Sequence, residues 1–243
     1  MKNINILIPV AGKGTRTKLN YPKSLHRIGN KSILVNLISK LSFLKKNPIL
    51  IVSKENKLFF DIHLNEEKIK SKFIIQKKIS GMGEAIYNYA ESKYFKLNHH
   101  TLLIWGDLLF IKKKNILNLI KNHIKYKNTF SLLSGFEKNP YTLILRNKKK
   151  EIKEIKEVIE LEKKPRYGER DIGIFIFDNK KCKKYFLNKK NFEKGKLTKE
   201  IKFLSIIKYL VKNNEKVQAY SYASSKEMLS FNSMNDIKKF SKF

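Results

Sequence analysis

Apolar runs of strand length alternate with amphipathic stretches of helix length through the first half of this chain, and that alternation restricts the folds open to it more than any other feature. Ile4–Val10 reads as a strand. Ile33, Leu34, Leu37, Ile38, Leu41 and Leu44 fall at helical spacing over Ile33–Leu44. Strands follow at Ile49–Val52 and Phe73–Gln76, then a helix at Met82–Glu91 after a glycine turn. A strand at Thr101–Trp105, a helix at Ile116–Ile124 and a strand at Thr129–Ser134 continue the series. This β-α-β rhythm predicts a mostly parallel sheet covered on both faces. Ligands of such sheets bind at the carboxyl ends of the strands. The three least ordinary segments, after Val10, after Gln76 and after Trp105, all sit at such ends.

The second half reads differently. Tyr141–Arg146 and Glu157–Leu161 are predicted strands around a charged turn at Asn147–Glu151. Ile172–Phe177 is a strongly apolar strand, Thr198–Val211 a helix, Val217–Tyr222 a late strand and Asn235–Phe240 a terminal helix. No Pro/Gly/Ser linker and no internal repeat divides the chain, so it is expected to be a single domain over residues 1–243, in two halves, 1–135 and 136–243.

The first strand empties into Val10-Ala11-Gly12-Lys13-Gly14-Thr15-Arg16, with Lys23 seven residues beyond Arg16. A strand feeding a glycine-bearing, cation-rich loop and then a helix is suited to holding phosphate on backbone N–H groups. Gly12 and Gly14 let the backbone approach an anion, and Arg16 and Lys23 add two full positive charges. The spacing G-x-x-x-x-G-K-[ST] of a P-loop does not occur. The dinucleotide fingerprint G-x-G-x-x-G fails because Thr17 stands where its third glycine belongs.

Composition narrows the class. At 243 residues the chain can bury a full core. No apolar run approaches the roughly 20 residues that span a membrane, and no small-residue cleavage site follows Ile4–Val10. The single cysteine, Cys182, excludes an internal disulfide framework and a cysteine metal site. These features favour a soluble cytoplasmic protein. The net charge of +32 suggests nucleic acid as a partner, but only five of the 53 basic residues are arginine, at 16, 27, 146, 166 and 170. Arginine is the side chain whose fork reads phosphate and base edges bidentately. The lysines are spread along the whole length, so they read as solvated helix faces, and no specific nucleic-acid partner is expected. Their field would still draw anionic substrates towards a cleft.

The pattern A-G-x-G-T-R, five residues, then P-K resembles the sugar-1-phosphate nucleotidyltransferases. Pro22-Lys23-Ser24-Leu25-His26 is most similar to the N-acetylglucosamine-1-phosphate uridylyltransferase domains among them. Two further segments carry the resemblance. Gln76-Lys77-Lys78-Ile79-Ser80-Gly81-Met82-Gly83 resembles the family's glutamine and glycine segment that recognises the nucleobase, and Trp105-Gly106-Asp107 resembles its [YW]-G-D. A late Phe231-Asn232-Ser233 matches its V-N-[ST/N]. The resemblance implies a Rossmann-like three-layer α/β domain with a mostly parallel, mixed central sheet, of the nucleotide-diphospho-sugar transferase type. It implies Mg²⁺ as cofactor, held by Asp107 and Asn232. It makes Arg16 and Lys23 catalytic, and it gives nucleotide binding to Val10, Ala11, Gly12, Gly14, Thr15, Gln76, Gly81, Met82 and Gly106 in the first half.

The acceptor half departs from the family. Pro140-Tyr141-Thr142-Leu143-Ile144 stands where a Y-G-R-I-like segment is expected. Val158-Ile159-Glu160-Leu161-Glu162-Lys163 offers two glutamates for one, Asp171-Ile172-Gly173 replaces N-T-G, and Leu197-Thr198-Lys199-Glu200 replaces [LI]-T-D. The acceptor contacts implied are Thr142, Glu160, Glu162, Asp171 and Thr198. The expected reaction joins a nucleoside triphosphate (NTP) and a sugar 1-phosphate into an NDP-sugar and pyrophosphate, with homo-oligomerisation left open. Two other readings remain: a cytidylyltransferase acting on a non-sugar phosphate, and a catalytically silent nucleotide- or polyanion-binding relative. Gly106-Asp107-Leu108-Leu109 argues against the isoprenoid-pathway cytidylyltransferases, which carry D-A-A-R there.

Overall fold

A computed structural model of the chain describes residues 3–12 and 17–236. Strands β1 (Ile4–Pro9), β4 (Ile49–Val52), β5 (Lys72–Ile75), β6 (His100–Ile104), β7 (Phe130–Lys138), β10 (Tyr167–Asp178) and β11 (Val217–Tyr220) form one seven-stranded sheet in the order β11-β7-β10-β6-β1-β4-β5. Two short pairs stand apart from it: β2 (Arg27–Ile28) with β3 (Lys31–Ser32), and β8 (Thr142–Arg146) with β9 (Ile152–Glu157). Within the large sheet β10 alone runs antiparallel to both its neighbours, and the other pairings are parallel. The sheet is mostly parallel and mixed, in an α/β fold.

Side chains alternate between two cores, as the pleat requires. Leu7, Leu103, Phe175 and Phe177 face one cluster, and Ile6, Ile8, Leu102, Ile104, Ile174 and Ile176 face the other. Helices α3 (Met82–Glu91), α5 (Asn179–Phe186) and α6 (Ile206–Lys212) cover the first face together with the β8–β9 hairpin. Helices α1 (Ile33–Lys40), α2 (Lys57–Glu66) and α4 (Lys113–Lys125) cover the second. Burial on both faces is why the strands read as nearly continuous apolar runs.

Three expectations about local structure are corrected. The strand predicted at Glu157–Leu161 is a 3-10 turn at Val158–Glu160, and the strand precedes it as β9. The helix predicted at Thr198–Val211 begins only with the 3-10 turn Phe203–Ser205 and α6, because residues 193–202 form a hairpin-like strap. The α-helix predicted over Ile33–Leu44 ends at Lys40 and a 3-10 turn, Ser42–Leu44, follows. The helix predicted at Asn235–Phe240 lies mostly outside the described residues. Helices α2 and α5 were not anticipated. Only Phe60 and Leu64 of α2 are buried while Leu58, Phe59 and Ile62 face solvent, which blurs its apolar stripe. In α5 four lysines surround Cys182, Tyr185 and Phe186.

The strand order reverses at β1, whose neighbours β4 and β6 lie on opposite sides. This is the switch point at which sheets of this kind open a crevice. The loops leaving β1 and β6 both reach it.

Candidate active site

The chain leaves β6 through Trp105-Gly106-Asp107. Gly106 packs on the exit of β1: a Cβ there would collide with Val10 Cγ1 and lie 3.2 Å from Pro9 O. The glycine therefore lets the two strand ends close up and brings the Asp107 carboxylate beside the loop that follows β1.

Lys23 enters from that loop. Pro22 begins a 3-10 turn, Lys23–Leu25, with Leu25 N donating to Pro22 O at 2.9 Å. His26 stacks on the buried Phe231 ring, 5.2 Å between centroids, and its Nδ1 lies 2.9 Å from the Tyr21 hydroxyl. The third element is the return of the chain after β11. Ser230 pairs antiparallel with Leu108, and Phe231 N donates to Asp107 O at 2.9 Å. The pairing sets Asn232 beside Asp107.

These three pieces meet at the Lys23 ammonium. Its Nζ donates to Asp107 Oδ2 at 2.7 Å, to Phe231 O at 3.0 Å and to Asn232 Oδ1 at 3.3 Å. Asn232 Nδ2 donates to Ser230 Oγ at 2.7 Å, which turns the amide oxygen towards Lys23. Asp107 Oδ1 is buried and has no hydrogen-bond partner among the described residues. A buried carboxylate oxygen left unpaired is costly unless a cation or donor meets it. One carboxylate beside one amide oxygen suits Mg²⁺, which takes few protein ligands and completes its shell with water and phosphate oxygens. Among the described residues no cluster of three or more His, Cys, Asp or Glu offers a competing metal site.

Val10, Ala11 and Gly12 end the described part of the first loop, and Val10 N is tied to Ile51 O at 2.8 Å. Gly14, Thr15 and Arg16 lie outside the described residues. Gln76 closes β5 and is buried. Its Nε2 donates to Lys78 O at 2.9 Å and to Gly81 O at 3.3 Å, so the side chain shapes the turn up to Gly81 and Met82.

The acceptor candidates fall into separate environments. Asp171 and Thr142 are each 1% exposed. Thr142 Oγ1 donates to Asp171 Oδ1 at 2.5 Å, and Gly173 N donates to Oδ2 at 2.9 Å. Burial raises the Asp171 pKa, against the lowering effect of those two donors and Arg170. Gly173 has φ +78°, and a Cβ there would meet Trp105 Cε3 at 2.8 Å, so the aspartate holds a left-handed turn under the indole. Glu160 sits in a cage of donors from the strap: Lys196 N at 3.0 Å, Leu197 N at 3.2 Å, Thr198 N at 3.4 Å and Lys202 Nζ at 3.1 Å. Desolvation raises its pKa, but the Leu197 and Thr198 amides and Lys202 outweigh that and hold it down to about 2. Glu162 is exposed.

Sequence reasoning singled out Glu160 and Thr198 but not the cation paired with Glu160. Lys202 Nζ lies 3.0 Å from Glu157 Oε2 and 3.1 Å from Glu160 Oε1 and is largely buried. Nothing in the order of residues signals that contact, since one lysine among so many looks like any other. Glu227 was likewise missed. It is buried and accepts from Lys112 N, Asn115 Nδ2 and Ser224 N, anchoring the returning chain to the start of α4.

Comparison with known proteins identifies the family and the fold. A sequence model described as nucleotidyl transferase matches residues 6–226. The chain is 31% identical over 242 residues to the bifunctional protein GlmU of Buchnera aphidicola subsp. Schizaphis graminum, covering 95% of this chain and 49% of that protein. It is 30% identical over 238 residues to GlmU of Streptococcus uberis, covering 96% of this chain and 50% of that protein. The chain thus spans about half the length of these relatives. A solved structure from Bacillus anthracis, of a candidate glucose-1-phosphate thymidylyltransferase in complex with sucrose, superposes with a TM-score of 0.76 at 17% identity, covering 97% of this chain and 93% of that one. At that identity the likeness concerns the fold. Among the described residues no helix is long and apolar enough to cross a membrane. With the family model covering most of its length, the chain belongs to the nucleotidyl transferase family.

Proposed function

We propose that this protein condenses an NTP with a sugar 1-phosphate to give an NDP-sugar and pyrophosphate, using Mg²⁺, in the cytoplasm. The observation that carries this reading is the meeting of Lys23, Asp107 and Asn232 at the carboxyl ends of β1 and β6, with Asp107 Oδ1 buried and unpaired among the described residues. A phosphate oxygen of the acceptor forms a bond to the α-phosphorus, the bond from that phosphorus to the α–β bridging oxygen breaks, and pyrophosphate leaves with the electron pair. The acceptor phosphate is already ionised near pH 7, so no general base is needed. What the protein must do is hold two anions in line and neutralise charge on the α-phosphate and the leaving group.

Asp107 and Asn232 would hold the Mg²⁺, which when bound withdraws charge from phosphate oxygens. Lys23 would bridge the α-phosphate and the acceptor phosphate, and Arg16 would face the pyrophosphate side. Val10 to Thr15 would cradle the phosphates, and Gln76, Gly81, Met82 and Gly106 would meet the nucleoside. The acceptor would lie against the lobe that carries Thr142, Glu160, Glu162, Asp171 and Thr198.

A screen of the five common NTPs against a panel of sugar 1-phosphates, with pyrophosphate release as readout, tests the reaction. Release that requires one NTP and one sugar 1-phosphate together supports it. No release from any pair, with intact protein, contradicts it.

A further inference from the structure

Residues 193–202 form a strap that joins the two halves of the proposed site. Lys194 and Ile201 make an antiparallel bridge, Gly195 N donates to Glu200 O at 2.8 Å, and Lys202 N donates to Glu193 O at 2.9 Å. One side of the strap holds the glycine segment. Ile201 N donates to Ser80 O at 2.6 Å and Gly83 N donates to Ile201 O at 2.8 Å. A Cβ at Gly81 would lie 2.6 Å from Ile201 O, and one at Gly83 would lie 2.5 Å from Ile201 Cγ2. The two glycines are therefore what admits the strap. The other side of the strap surrounds Glu160 with the amides of residues 196–198, and Lys202, next to Ile201, is locked between Glu157 and Glu160. With Gln76 bonded to Gly81 O, the connection runs from Gln76 through Ile201 to Glu160 without a break.

We propose that Lys202 is a positioning residue: by fixing the strap to Glu157 and Glu160 it sets the shape of the Ser80–Gly83 loop, and so ties nucleotide recognition to the acceptor lobe. The recognition half of this inference rests on the function proposed above; the mechanical half does not. An ammonium held by two carboxylates cannot be removed without leaving two like charges facing each other in a poorly solvated space. They separate, and the element that gives is the strap, whose hold on Ser80–Gly83 is two backbone hydrogen bonds.

The test compares the parent, Lys202→Met and Lys202→Arg by amide hydrogen exchange and by equilibrium binding of UTP, dTTP and CTP. Lys202→Met is expected to exchange the Gly83 and Ile201 amides at least about tenfold faster, while β1 and β6 keep the parent rates. It is also expected to bind the preferred nucleotide at least about tenfold more weakly, and Lys202→Arg to restore both values. Unchanged Gly83 exchange overturns the mechanical link. Faster exchange with unchanged nucleotide affinity overturns the role in recognition. A parent that binds none of the three nucleotides overturns the functional reading and the recognition half with it, and the exchange rates still decide the link. If Lys202→Met loses protection throughout β1 and β6, Glu157→Gln takes its place. That variant leaves Lys202 paired with Glu160, so a smaller shift in the same direction is expected and no shift overturns the proposal.

Discussion

The Lys23 ammonium lies 2.7 Å from Asp107 Oδ2, joining the loop after β1 to the end of β6 across the switch point of the sheet. Neither side chain is free to solvent, so the pair sits where charge interactions are stronger than in water. Lys23→Ala should lower turnover at least about 100-fold, since a charge directed at developing anionic charge in such a site is worth about 3 kcal/mol. Steady-state rates of pyrophosphate release, read beside a circular dichroism check of folding, measure this. A folded Lys23→Ala variant with near-parent turnover would show that Lys23 does not serve the reaction.

Gly106→Ala tests the closure of the two strand ends. The added methyl would strike Val10 Cγ1, and overpacking of that kind costs about 1–3 kcal/mol. Chemical denaturation should show a lower midpoint with an unchanged slope. Parent-like stability would mean that the close approach of Gly106 to Val10 is not what positions Asp107.

His123 governs an acid sensitivity remote from the site. It is buried, with Nε2 3.1 Å from His100 Nδ1 and Nδ1 2.9 Å from Ser131 Oγ. Burial above all, then His100 and Lys181, hold its pKa down to about 3 from the ordinary 6.5. Between those values the unfolded chain binds a proton that the folded site refuses. Its contribution is therefore full above pH 6.5 and is lost as the pH falls towards 3. Denaturation midpoints at pH 7.5, 6 and 5 should fall more steeply for the parent than for His123→Gln. Parallel curves would contradict this.

The acceptor side carries a prediction about substrate choice. Thr142 donates its hydroxyl proton to Asp171, and the Asp171 carboxylate has no proton of its own to offer when ionised. Neither side chain has a donor left for an acetamido carbonyl. A plain hydroxylated or amino-bearing sugar 1-phosphate should be used at least as well as its N-acetylated counterpart. A strong preference for N-acetylglucosamine 1-phosphate over glucose 1-phosphate in kcat/KM would prove this wrong.

What the sequence made legible follows from how local each signal is. Ile4–Pro9, Ile49–Val52 and Met82–Glu91 stood out because burial writes a period into consecutive residues. Trp105-Gly106-Asp107 and Pro22-Lys23 stood out as short motifs, although the packing of Gly106 on Val10 gives that glycine a purpose that its motif alone does not. Thr198 stood out within the strap, but the strap's connections were illegible. Its bonds run from Ile201 to Ser80 and Gly83, and from Lys202 to Glu157 and Glu160, and pairings between distant segments leave no periodic trace. For the same reason the bonds that Asp171 accepts from Thr142 Oγ1 and Gly173 N had no signal in the order of residues.

The most direct test of the central claim is the Mg²⁺-dependent rate of pyrophosphate formation by the parent and by Asp107→Asn, each with the best NTP and sugar 1-phosphate pair. Asparagine keeps the shape of the side chain and removes the charge that Lys23 Nζ meets at 2.7 Å, together with the unpaired carboxylate oxygen. The rate should depend on Mg²⁺ in the parent and fall at least about 100-fold in the variant. Equal rates in the two proteins, or a parent rate indifferent to Mg²⁺, would contradict it.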